Sequence, residues 1–134
     1  MRLAVATTLI ALTVCPSVHA GSEELREEVL HHARCATIHA AASRMGGVLE
    51  DDVTMFADSS ALLEFALMNQ DIQRANEEDR ASLRNKAWIE QSDAIGSITR
   101  AVANSKDTEA VRIVFEKLFA LCETKPGRKV ADND

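Results

Sequence analysis

Residues 51–70 read DDVTMFADSSALLEFALMNQ, and their spacing admits one kind of backbone. Val53, Phe56, Ser60, Leu63 and Leu67 recur at alternating steps of three and four, which is the mark of a helix with one buried stripe. Asp51 and Asp52 stand where a helix N-terminus favours negative charge. In both directions from this stretch the same character holds. No Gly or Pro occurs between Gly47 and Gly96, and Ala, Glu, Leu and Arg are abundant. These are strong helix formers, there is no Tyr, and the punctuation that separates strands is missing. The chain reads as all-α.

A first helix is expected to begin at Ser22, with Glu23 and Glu24 behind it. It carries Leu25, Val29, Ala33, Ala36 and Ala40 on one face and stops at Gly46-Gly47. The second starts at Asp51 or Asp52. Its end falls somewhere between Asn69 and Asp79, where the apolar pattern thins to Ile72 and Ala75. The third carries Leu83, Ala87, Ala94, Ile98 and Val102 and ends at Asn104-Ser105. Asp107 or Ser105 caps a fourth, whose stripe is Val111, Val114 or Phe115, Leu118 and Cys122. Four amphipathic helices with short links pack most economically as an antiparallel four-helix bundle. Residues 21–124 form this domain, and the polar tail 125–134, opened by Lys125-Pro126-Gly127, is expected to be disordered.

The N-terminus carries an address. Arg2 is followed by an uncharged run from Leu3 to Val14, then Pro16-Ser17, which breaks the helix, and Val18-His19-Ala20 with small residues where a signal peptidase reads. The apolar run is shorter than the roughly 20 residues of a membrane span. Residues 1–20 therefore read as a cleavable signal peptide, cut after Ala20, and the product as periplasmic or secreted with no membrane attachment. Cleavage takes away Arg2 and keeps all 21 acidic residues, moving the net charge from −6 to −7. Nucleic-acid binders concentrate basic charge, so nucleic acid is excluded as a partner.

Cys15 departs with the signal, leaving Cys35 and Cys122 as an even pair in an oxidising compartment. Their expected disulfide closes a loop of about 88 residues. In an up-down-up-down bundle the first and fourth helices are antiparallel neighbours. The pairing then requires the first helix to project beyond the fourth by two or more turns, or to cross it.

His31, Cys35 and His39 are spaced four apart, so their side chains form one ridge on a helix. Imidazole and thiolate are ligands for zinc or copper, and ligands at this spacing can share an ion. Oxidation of Cys35 would remove the thiolate, and histidine pairs are common; the favoured reading is of polar residues flanking a disulfide, with no cofactor. His32 lies off the ridge. Glu28 and His31 make a single Glu-x-x-His pair, and di-iron bundles need two. No Cys-x-x-Cys-His is present for covalent haem. No serine sits in a nucleophile elbow, and Glu77, Glu78 and Asp79 with Arg74, Arg80 and Arg84 read as a solvated face. Met45, Met55 and Met68 read as core filling. Trp88 is placed in the core by its helical spacing, the alternative being an anchor at a partner surface. The function expected from these residues is non-catalytic: binding of another macromolecule, a protein being the expected partner, as an inhibitor, immunity or accessory factor, or chaperone. The alternative is a zinc- or copper-binding bundle using His31 and His39.

Overall fold

The computed structural model describes the backbone of residues 3–123 and the side chains of residues 22–123. Four helices follow one another: α1 (Leu3–Ser43), α2 (Asp51–Arg74), α3 (Glu77–Ala103) and α4 (Thr108–Glu123), with no strand among the described residues. Each connection has a local cause. Gly47 at φ 90° turns the chain after α1, a conformation that L side chains rarely adopt. Asp51 and Asp52 occupy the first turn of α2. The α2–α3 junction is Ala75-Asn76, both extended, and Arg80 donates from its guanidinium to the carbonyls of Gln73 and Ala75, which would otherwise be orphaned at the end of α2. Asp107 caps α4, accepting from the Ala110 amide at 2.8 Å.

The bundle is built around α1. Val29 and Ala33 share one cluster with Met68 and Ile72 of α2 and Leu83 and Ala87 of α3. Ile38 and Ala42 share a second with Ala57 of α2, Ile98 of α3, and Val111 and Phe115 of α4. The order of these residues makes α2 and α4 antiparallel to α1, and α3 parallel to it. Neighbours on three sides bury almost every position of α1 from Val29 to His39, and Ala42 beyond it. Small residues make this possible: Ala33, Ala36 and Ala42 on α1 and Ala57 and Ala61 on α2 are buried, and short side chains at a contact bring helix axes close. Arg34 of α1 and Glu90 of α3 add an ion pair at 3.0 Å.

The Cys35–Cys122 disulfide joins α1 to α4 across a Cα–Cα distance of 5.6 Å. Since α4 ends at Glu123 opposite Cys35, residues 22–34 of α1 project beyond it by about 20 Å at the helical rise. This is the offset that the pairing requires.

Several expectations need correction. The helix containing Ser22 runs unbroken from Leu3, so neither a start at Ser22 nor a break at Pro16-Ser17 is present. A proline inside a helix forfeits one backbone hydrogen bond and strains one turn, and the helix formers on either side carry the helix past it. The inner stripe of α2 is rotated by one residue from the expected one. Ala57, Ala61, Met68, Asp71 and Ile72 face inward, while Phe56 and Leu63 are 65% and 58% exposed. Trp88 and Met55, expected in the core, are 67% and 70% exposed and do not belong to it. The stripes expected for α3 and α4 are as observed, with Leu83, Ala87, Ala94 and Ile98 buried on one, and Val111 and Phe115 on the other. The tail at 125–134 lies outside the described residues, as do the side chains around the cleavage position at Ala20.

Candidate functional site

An apolar groove opens along α1 and α3, with Phe115 of α4 also in its lining. Its floor is Thr37, Ala40 and Ala41 of α1, and its walls are Phe65 of α2 and Trp88 and Ile95 of α3. The groove encloses about 690 Å³ and runs along α3 from Trp88 to Ala103. That length is roughly four helical turns, about 22 Å. Ala40 and Ala41 keep the floor low, so the walls stand above it. Arg44 is the one charged side chain in the lining. The indole of Trp88 thus sits at the edge of a concave apolar surface, where aromatic side chains act as interface anchors.

The structure places the ridge residues in three different settings. Cys35 is in the disulfide and offers no thiolate. His31 approaches the Cys35 sulfur with its Nε2 at 3.8 Å. His39 lies against the rings of Phe119, stacked at 5.2 Å, and Phe56, edge-on at 6.2 Å. Its Nδ1 is buried without a hydrogen-bond partner. Burial pushes both imidazoles below the ordinary histidine pKa; Glu64 opposes the shift in each, and at His31 the neighbouring His32 and Arg34 add to it. His39 is absent from the groups of converging metal-ligand atoms among the described residues, whereas His31 is brought to Cys35 and Glu64.

Sequence reading passed over a second polar cluster, between α1 and α2. His32, off the expected ridge, is buried, and its Nδ1 lies 2.8 Å from Glu64 Oε2. Its Nε2 faces Asp71 Oδ2 at 3.6 Å. Asp71 Oδ1 accepts from Arg74 at 3.1 Å, while Oδ2 is buried with no hydrogen-bond partner. Glu28, one turn before His32, completes the group. The signal was available: Glu28 and His32 are four apart, and Glu64 and Asp71 are seven apart, so each pair shares a helix face. The misplaced α2 stripe concealed that this face turns inward.

Comparison with protein-family models, with curated proteins and with solved structures returns no match. The fold and the sites therefore define a class only: a disulfide-joined, all-helical bundle with an open apolar groove. Among the described residues no helix is long and apolar enough to cross a membrane.

Proposed function

We propose that this chain is an exported, non-catalytic binding protein that receives one amphipathic helix of a partner protein in the groove along α1 and α3. The observation that carries the reading is the groove itself, apolar, four turns long and floored by alanines. Helix-in-groove recognition uses this shape: apolar anchors of the incoming helix at every third or fourth position enter the trough, and its polar face stays in water. Trp88 and Ile95, exposed on the free chain, gain burial when the groove is filled. The acidic balance of the chain favours a partner helix whose outer face is basic. Export follows from the N-terminal reading, with removal of residues 1–20 after Ala20. The disulfide is of the kind that persists outside a reducing cytosol.

Site-resolved photocross-linking in the exporting cell tests this. A photoreactive residue at Ile95, in the groove, should give one adduct of defined mass. The same probe at Ile113 on α4 or Leu62 on the outer face of α2, both exposed, should not. Adducts of twice the chain mass would make the occupant a second copy and refute a separate partner. Equal labelling from all three positions would refute the groove as the docking site.

A further inference from the structure

We propose that Glu28, His32 and Asp71 form a binding site for one divalent transition-metal ion, zinc being the leading case. Glu64 acts as the hydrogen-bond partner that sets the His32 ring. The inference is independent of the groove and uses none of its lining.

The protonation of His32 decides what its other nitrogen can do. A carboxylate only accepts hydrogen bonds, so the 2.8 Å contact with Glu64 Oε2 puts a proton on His32 Nδ1. In the neutral ring Nε2 then carries a lone pair. That lone pair faces Asp71 Oδ2, another acceptor, with a Glu28 carboxylate oxygen close by. Acceptors brought together need a cation or a proton between them. A proton on Nε2 would bridge at roughly 2.7–3.2 Å, and the separation here is 3.6 Å. Two ligand atoms on a tetrahedral zinc, each at about 2.0–2.1 Å from the ion, stand about 3.3 Å apart. The observed spacing is close to that, and all three ligand atoms lie within 4.8 Å of one another.

Two further features point to a ligand. The side chain of Asp71 is only 9% exposed and its Oδ2 has no hydrogen-bond partner, although it is directed at the His32 nitrogen. A carboxylate on the distal nitrogen of a histidine is the arrangement that orients metal-binding imidazoles and raises their basicity. Glu64 provides it. One histidine and two carboxylates are a ligand set that zinc accepts, and three protein ligands leave a fourth position open. The ion would join α1 to α2 toward the end of the bundle that α4 does not reach; Arg74 pairs with Oδ1 of Asp71 and not with Oδ2. His31 and His39 are not needed.

Titration of the purified chain, disulfide intact, with zinc sulfate against a chromophoric chelator is the test. One zinc should bind per chain and raise the thermal midpoint. Glu28→Gln and Asp71→Asn should each weaken affinity by at least about a hundredfold, and Glu64→Gln by about 10–100-fold through the ring it orients. His39→Gln should leave affinity unchanged. Glu28 is only partly buried, so Glu28→Gln keeps the test decisive if Asp71→Asn does not fold. Failure of the folded chain to bind stoichiometric zinc overturns the proposal. So does binding that is lost in His39→Gln, or that persists undiminished in Glu28→Gln.

Discussion

Removing the Cys35–Cys122 bond by changing both residues to alanine should destabilise the bundle substantially. The bond ties positions 87 residues apart, so it withholds most of the chain's loop entropy from the unfolded state. For a loop of that length the chain-entropy relation gives about 4–5 kcal/mol at 25 °C, and measured losses usually fall between about 2 and 4. The structure indicates which part depends on it. α4 is the shortest of the four helices, has Val111 and Phe115 buried, and covers α1 only from about Cys35 onward. Without the covalent tie it is held by those two side chains with Leu118 and Phe119 beside them. Urea unfolding followed by helical circular dichroism, on the oxidised protein and on the double variant, measures the difference. For a slope of about 1.5 kcal/mol/M, a loss of 3 kcal/mol moves the midpoint by about 2 M. A loss below about 1 kcal/mol would refute the reasoning, as would two reactive thiols titrating in the denatured exported protein.

Other outcomes follow from the packing and the buried imidazoles. Phe115, 1% exposed in the second cluster, should cost about 3–5 kcal/mol when changed to alanine, read by the same unfolding curves. Ala61→Leu should destabilise by about 1–3 kcal/mol through overpacking where α2 meets α1, whereas Leu63→Gln should shift stability by about 0.5 kcal/mol or less. The reverse ranking would restore the stripe first expected for α2. His31 and His39 have folded-state pKa values below the unfolded value, so the unfolded chain takes up protons first as pH falls. Their contribution is complete above the ordinary histidine pKa and is lost as pH falls from there toward the folded values. The slope is at most about 1.4 kcal/mol per pH unit for each group. Stability measured between pH 7.5 and 5.5 should decline, and His39→Gln should flatten the decline.

The helices were legible in the sequence because their signals are local. Gly47, Asp107 and the Asp51-Asp52 pair act within a turn of where they stand, and the α3 and α4 stripes each carry bulky apolar residues at helical spacing, Leu83 and Ile98 on one and Val111 and Phe115 on the other. The α2 stripe was misread for the converse reason. Up to Met68 and Ile72 its inner positions are mostly alanines and acids, Ala57, Ala61, Glu64 and Asp71, while Phe56 and Leu63 flank them, so counting bulky apolar residues rotates the helix by one position, about 100°. Small residues belong inside here because α1 lies against them, which is a fact about a neighbour. Trp88 was misplaced in a related way: its spacing suits burial, but its side chain stands exposed at the groove along α1 and α3. The Glu28–His32–Asp71 cluster required both helices to be in place. His31, Cys35 and His39 stand on one side of α1, but sequence spacing could not show that sulfur pairs with α4 and that phenyl rings enclose His39.

The groove is the feature on which the functional account stands, and Ile95→Glu tests it without touching the core. Ile95 is 47% exposed, so the variant should fold with an unchanged thermal midpoint. Native mass spectrometry of the exported protein, isolated gently from its compartment, should show the wild type in a discrete 1:1 complex with one partner and the variant as bare monomer. Wild type found only as monomer, or a complex that survives Ile95→Glu intact, would contradict the account.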